Sequence, residues 1–108
     1  MNPIKHSLLV KSEKAPIVEF DPTCGAVYVR FSNKAVQKTV ERGTDPMIVT
    51  VDLDRGGDVV GIEAIGFTEF SLGQILRAAN VRADRVDLSK ARFRGTPRQK
   101  EHEPEMAA

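Results

Sequence analysis

The stretch Met47–Ile65, MIVTVDLDRGGDVVGIEAI, constrains the fold of this chain more than any other segment. Its first part, Met47–Leu53, and its last part, Val59–Ile65, are rich in β-branched residues, which suit a pleated and half-buried strand. Between them, Asp54–Asp58 contains two consecutive glycines that can take the left-handed backbone positions of a hairpin turn. We therefore predict two antiparallel strands joined by a tight turn.

Three further short strands are predicted before this hairpin. Ile17–Phe20 leads into an Asp-Pro turn, and Ala26–Phe31 alternates between apolar and polar residues. Ala35–Glu41 has the half-polar alternation of an edge strand or a solvent-facing strand. Connections this short leave no room for the crossovers that parallel strands need, so an antiparallel meander is expected.

The sequence changes to a helical period after the hairpin. Ser71 and Gln74 are spaced as a capping box, Phe70 precedes the cap as in a hydrophobic staple, and Asn80 is a candidate C-terminal cap. Apolar side chains fall at helical spacing between the caps, at Leu72, Ile75, Leu76 and Ala79. A helix over residues 72–79 has about two turns and must dock on other structure to persist. The expected fold class is α+β: a small antiparallel β-meander of four to five strands with one short amphipathic C-terminal helix packed on it.

The length of 108 residues is that of one domain. A domain of this size buries only about two-thirds of its unfolded surface, so a partner or a second copy could be needed to cover apolar surface. We expect a flexible N-terminal arm at residues 1–15, a single α+β domain at residues 16–93 and a disordered polar tail at residues 94–108. No run approaches the roughly 20 apolar residues that cross a bilayer, and a cytoplasmic location without a membrane partner is expected.

The acidic tip of the hairpin resembles a calcium-binding EF-hand loop in its spacing. Asp52, Asp54, Gly57 and Glu63 occupy the first, third, sixth and twelfth positions of that motif, but Gly56 takes the fifth. An EF-hand loop joins two helices, whereas both flanks here are strands. We therefore interpret the acids and glycines as turn residues with solvated carboxylates, and no metal site is predicted.

Residues for nucleophilic or acid–base catalysis do not form a recognisable set. His6 and His102 lie in the two predicted flexible ends, and the single cysteine, Cys24, sits beside Gly25 in a turn. One cysteine also excludes an intramolecular disulfide and a cysteine cluster for zinc. The chain is not expected to be an enzyme or to carry a cofactor, although a small enzyme of unknown reaction is kept as an alternative.

Positive charge is concentrated after the helix begins. Residues 77–100 carry eight Lys or Arg residues against two Asp residues, a net charge of +6 in a chain whose total is +1. Such a segment can neutralise phosphates or bind an acidic protein, but it contains only one aromatic residue, Phe93, for base stacking. A solvated basic segment is the simpler interpretation.

Tyr28 and Arg30 share one face of their predicted strand. They form either a cross-strand pair on the less buried face or an exposed aromatic and guanidinium patch of the kind enriched at interfaces. Together with the basic segment they give the candidate partner-binding residues: Tyr28, Arg30, Arg77, Arg82, Arg85, Lys90, Arg92, Phe93 and Arg94.

Several of these stretches resemble a bacterial family of short domains. Phe20-Asp21-Pro22, the strand Ala26–Phe31 and the hairpin Val51–Glu63 are similar to domain-of-unknown-function family 2283. The resemblance covers about Val18–Ile65 and departs at Gly56-Gly57-Asp58, where the family more often has one glycine followed by a charged residue. It implies a small antiparallel sheet with a helix, no established activity and no catalytic or ligand residues. Some members are encoded beside small toxin-like proteins, so it also implies an antitoxin-like role.

The leading functional hypothesis is a small protein-interaction module, as the antitoxin partner of a small toxin. Its basic C-terminal segment would engage the partner by folding on binding. A homo-oligomer is the other protein partner considered. The alternative is a nucleic-acid-binding accessory protein that uses the same basic segment.

Overall fold

The computed structural model describes residues 7–21, 23, 25–43, 47–66 and 71–95. In chain order these form β1 (Leu8–Leu9), β2 (Ile17–Asp21), β3 (Ala26–Arg30), β4 (Lys38–Gly43), β5 (Ile48–Leu53) and β6 (Val59–Ile65). The helix α1 (Leu72–Ala79), β7 (Val81–Arg82), a 3-10 turn (Leu88–Lys90) and β8 (Arg92–Gly95) follow. The predicted α+β class is confirmed, and each of the five predicted strands corresponds to one of β2 to β6.

The sheet is larger than predicted and is not a simple meander. Six strands lie in the order β4-β5-β6-β3-β2-β8, so that β3 pairs with β6 and not with β4. The backbone amides of Phe31 and Ser32 both donate to the Val60 carbonyl, at 2.8 and 3.2 Å, which holds the end of β3 beside β6. Residues 31–37 then carry the chain across the end of the sheet to the far edge of β5, giving a Greek-key order.

Two strand pairs are parallel, which the expectation of an antiparallel meander did not allow. β8 runs parallel to β2, with Ile17 opposite Arg92 and Glu19 opposite Arg94. The small strands β1 and β7 form a second parallel pair. The long chain between the two strands of each pair supplies the crossover that parallel strands need; α1 lies in both connections, and the 3-10 turn lies only between β2 and β8.

The helix begins and ends as predicted. The Ser71 side chain accepts from the Gln74 amide and the Gln74 side chain accepts from the Ser71 amide, both at 3.2 Å, which completes the capping box. Asn80 takes the left-handed conformation at the C-terminal cap, with φ 55°. Ile75 and Ala79 are buried in the hydrophobic core, and Arg42 of β4 donates from Nε to the Ala79 carbonyl at 2.8 Å. Phe70 of the predicted staple lies outside the described residues.

Parts of the predicted N-terminal arm and of the predicted C-terminal tail are held by backbone hydrogen bonds. In the N-terminal arm, Leu8 donates to the Asn80 carbonyl at 3.0 Å and Val10 to the Arg82 carbonyl at 2.9 Å, and Val10 is buried. At the other boundary, Arg94 and Gly95 of the predicted tail belong to β8. Residues 96–108 lie outside the described part of the chain.

The core lies on one face of the six-stranded sheet. Strand register places Val18, Val29, Ile62 and Val51 side by side across β2, β3, β6 and β5, and all four are fully buried. Because side chains alternate along a strand, the neighbours of these valines and isoleucine lie on the opposite face. That opposite face, called the open face below, carries the candidate site.

Candidate functional site

The open face consists of two adjacent rows of side chains that run across the sheet. The first row, from β8 to β4, is Arg94, Glu19, Tyr28, Glu63, Thr50 and Glu41. The second row, in the same order, is Arg92, Ile17, Arg30, Gly61, Asp52 and Thr39. Glu63 and Glu41 are exposed, while Tyr28 and Asp52 are half-buried. Polar groups therefore lie in register over all six strands of the sheet.

Tyr28 reaches across a neighbouring strand to a carboxylate. Its hydroxyl donates to Asp52 Oδ2 at 2.8 Å, although β6 lies between the strands that carry the two residues. The ring passes over Gly61 of β6, where any Cβ would overlap the ring and hydroxyl of Tyr28. Asp52 Oδ1 accepts a second hydrogen bond from Thr39 Oγ1 at 2.6 Å. A glycine in the middle of a strand is thus explained by the close approach of another group.

Arg30 extends the network toward the other edge of the sheet. Its guanidinium carbon lies 5.0 Å from the centroid of the Tyr28 ring, within cation–π distance. Arg30 also makes an ion pair with Glu19 at 3.4 Å, and Arg94 of β8 donates to the other Glu19 oxygen at 2.9 Å. Exposed pairs of this kind contribute about 0–1 kcal/mol each, so their main effect is to hold the side chains in one orientation.

The titration of Glu19 and Tyr28 follows from these contacts. Partial burial raises the pKa of Glu19, but the hydrogen bond from Arg94 and the charge of Arg30 outweigh it, and the pKa lies below its ordinary value. Burial raises the pKa of Tyr28, and its hydrogen bond to the Asp52 carboxylate raises it further. Near neutral pH Glu19 is therefore ionised and the Tyr28 phenol is protonated, which is the state that the network requires.

The structure confirms the predicted turn at the hairpin tip. The expectation that all of the acids there are solvated is wrong. Asp54 is only 9% exposed, because its Oδ1 accepts from the backbone amides of Gly56 at 2.9 Å and Asp58 at 3.0 Å. The Asp58 amide is the main cause that lowers the pKa of Asp54. Asp58 itself pairs with Lys11 at 3.5 Å. The acids at the EF-hand-like positions are therefore each engaged separately or lie on different strands. Within the described ranges, no three His, Cys, Asp or Glu residues are grouped to hold a metal ion.

An open cleft of about 570 Å³ adjoins the open face at Arg30. Its walls are the segment before β2, the loop after β3 and the hairpin tip. The lining includes the cations Lys11, Lys14, Arg30 and Lys34 and the carboxylates Asp54 and Asp58. Lys34 lies 3.9 Å from Asp54 and, like Lys11, is paired with a carboxylate of the same cleft. The cleft is therefore less basic than its lysines suggest.

The structure divides the predicted basic residues among separate surfaces. Arg92 and Arg94 belong to β8 and share the open face with Tyr28 and Arg30. Phe93, between them, lies opposite Val18 on the other face and is 55% exposed. Four candidates lie away from the open face, on α1, on β7, after β7 and on the 3-10 turn: Arg77, Arg82, Arg85 and Lys90. Four of the nine candidate residues are thus brought together.

Sequence reasoning missed four members of the network, namely Glu19, Asp52 as a partner of Tyr28, Gly61 and Thr39. One signal for them is present in the chain. Gly61 interrupts an otherwise β-branched strand, and an internal strand glycine marks a bulge or a close approach. The Tyr28 ring can pass over Gly61 only because β3 pairs with β6, with Tyr28 opposite Glu63, and no local pattern indicates this pairing.

Comparisons of this chain with protein-family models, with curated proteins and with solved structures find no match. Of the helices that the structure describes, none is long and apolar enough to cross a membrane. His6, Cys24 and His102 lie outside the described residues.

Proposed function

We propose that the chain is a protein-interaction module without catalytic activity, and that its binding surface is the open face of the sheet. The observation that supports this most is the fixed position of Tyr28 and Arg30. Both lie on a sheet face that is not covered by any element of the described ranges, and both are held by side-chain contacts that extend from β8 to β4.

The chemistry of this surface suits a protein partner. Tyrosine and arginine are enriched among the residues that dominate interface energies. Side chains already held in one rotamer lose less conformational entropy on binding, which is worth about 0.5–1.5 kcal/mol for each rotamer-rich side chain. Two exposed isoleucines, Ile48 and Ile65, face each other on the same side of the sheet and add apolar area.

We propose a small toxin-like protein as one candidate partner. This part of the proposal comes from the resemblance of the hairpin Val51–Glu63 to domain-of-unknown-function family 2283. In this proposal such a partner binds the open face, and not the basic residues of α1 and β7. Nucleic acid receives less support as a ligand, because the basic side chains are dispersed over several surfaces.

Co-purification with the product of the neighbouring gene tests this proposal. Arg30→Ala should weaken the complex about tenfold or more, equivalent to about 1.4 kcal/mol, whereas the matched control Arg77→Ala on α1 should leave it unchanged. Tyr28→Phe keeps the ring and should have a smaller effect than Tyr28→Ala. A complex that is weakened by Arg77→Ala and insensitive to Arg30→Ala would place the binding surface elsewhere and contradict the proposal.

A further inference from the structure

We propose that the open face also binds a second copy of this chain, so that two sheets stack face to face about a two-fold axis. This inference depends on the proposed function, because it names one occupant of the same surface. It is carried by the distribution of charge over the six strands and by the groups on the open face that have no ion-pair partner among the described residues.

The open face is divided into a basic half and an acidic half. On β8, β2 and β3 the charged side chains of the two rows are Arg92, Arg94, Arg30 and the single acid Glu19. Asp21 lies at the end of β2, is buried and has its carboxylate engaged by Thr23. These three strands therefore present a net positive surface.

On the other three strands, every charged side chain of the two rows is an acid. Glu63 of β6, Asp52 of β5 and Glu41 of β4 lie in the two rows. The cations of β4 are turned elsewhere: Lys38 lies opposite the buried Leu53 on the core side, and Arg42 binds the end of α1. The boundary between the two halves falls between β3 and β6, at the centre of the strand order.

A two-fold axis parallel to the strands at this boundary makes the two halves complementary. It places β8 of one chain over β4 of the other, β2 over β5 and β3 over β6, so that the basic half faces the acidic half twice. An axis perpendicular to the strands would place each strand over its own copy and bring like charges together. The arrangement is isologous and closed, as in most homodimers.

Three charged side chains and two isoleucines on the open face are exposed and could contact a second copy. Arg92 on the basic half, and Glu63 and Glu41 on the acidic half, are exposed and make no ion pair with any residue that the structure describes. Ile48 and Ile65 are 45% and 37% exposed and lie side by side, and the same axis brings Ile65 over Ala26 of the second copy. Charge and apolar area thus coincide on the one face.

The size of the face predicts a weak dimer. Six strands about 4.8 Å apart and about five residues long, at roughly 3.4 Å per residue, present about 500 Å² per chain. A total of about 1,000 Å² is at the lower limit for a specific interface, so we expect dissociation in the micromolar range. Because exposed charges set the orientation, the dimer should weaken as the salt concentration rises.

Sedimentation equilibrium of the full chain with charge-reversed variants tests the inference. The wild type should change from 11.9 kDa toward twice that mass as its concentration rises through the micromolar range. The variants Arg92→Glu/Arg94→Glu and Glu41→Lys/Glu63→Lys should each be monomeric, and an equimolar mixture of the two should again form a dimer. The control Arg77→Glu/Lys90→Glu, which lies off the open face, should associate as the wild type does. Circular dichroism of each variant checks that the sheet is retained.

The outcomes separate this inference from the proposed function. A wild-type chain that stays at 11.9 kDa up to several hundred micromolar, or a mixture of reversed variants that does not associate, overturns the dimer. If Arg30→Ala still releases a different protein partner in that case, the proposed function stands alone. Equal association of the wild type and both reversed variants also overturns the dimer on this face.

Discussion

The Tyr28 hydroxyl donates to the Asp52 carboxylate at 2.8 Å from two strands away, and it passes over the one residue of the intervening strand that has no side chain, Gly61. This contact connects the basic half of the open face to its acidic half. It also makes the glycine a requirement of the network rather than a neutral strand residue.

Gly61→Ala should destabilise the protein by about 1–3 kcal/mol, because the new methyl group displaces the Tyr28 ring from Asp52. In a Tyr28→Ala background the obstruction is absent, and the same change should be neutral or stabilising, since alanine costs less than glycine in a strand by about 0.5–1 kcal/mol. Urea unfolding of the four proteins in this double-mutant cycle measures the coupling. Equal costs of Gly61→Ala in both backgrounds would show that the ring does not lie over the glycine.

Tyr28→Phe should lower the free energy of unfolding by about 1–2 kcal/mol near neutral pH, through loss of a hydrogen bond to a charged acceptor at a half-buried site. The difference between the wild type and this variant should depend on alkaline pH. Burial and Asp52 raise the pKa of Tyr28 in the folded state, so its contribution is complete below the unfolded pKa of about 10 and is lost as the pH rises through the folded value. Denaturation curves from pH 7 to pH 11 follow this loss, and a constant difference over that range would argue against the hydrogen bond.

Glu19→Gln should remove part of the acid sensitivity of the fold. The pKa of Glu19 is lowered in the folded state, so its ion pairs with Arg94 and Arg30 stabilise the protein above the unfolded pKa of about 4.3 and lose this effect as the pH falls. The variant should therefore differ from the wild type at pH 6 and converge with it near pH 2. Glu41→Gln is the matched control, because it removes an exposed acid without an ion pair among the described residues. It should show no such convergence.

Arg42→Ala should loosen the end of α1. Arg42 Nε donates to the last helical carbonyl, that of Ala79, and cations are favourable at a helix C-terminus, so the expected loss is about 1–2 kcal/mol. Amide hydrogen exchange should accelerate at Leu8, whose amide donates to the Asn80 carbonyl at this same corner. Arg77→Ala in the last turn of α1 serves as the control. Unchanged exchange at Leu8 in Arg42→Ala would contradict this account of how the helix is held.

Local features of the fold could be predicted because they depend on neighbouring residues. The alternation in Ala26–Phe31 assigns faces, and the β-branched residues of Met47–Leu53 indicate a strand. The glycines near Asp54 indicate a turn, and Ser71 with Gln74 marks a helix start. Each of these signals acts within a few residues, and each agrees with the structure.

Strand order and the network could not be predicted from the same signals. A period of two assigns a face to a side chain but does not say which strand is its neighbour. The pairing of β3 with β6, and of β2 with β8, joins segments separated by long stretches of chain, and it is decided by how the whole core packs. Tyr28 and Arg30 were candidates by type and face, whereas Asp52 and Glu19 became partners only through that pairing.

Site-specific photo-cross-linking in the intact chain tests most directly whether the open face is the binding surface. A photoreactive residue replaces Thr50, in the middle of the acidic half, or Lys90, an exposed position on the 3-10 turn away from that face. The account predicts that adducts form from position 50 and not from position 90, and the adduct mass distinguishes a second copy from another protein. Adducts from position 90 with none from position 50 would contradict it.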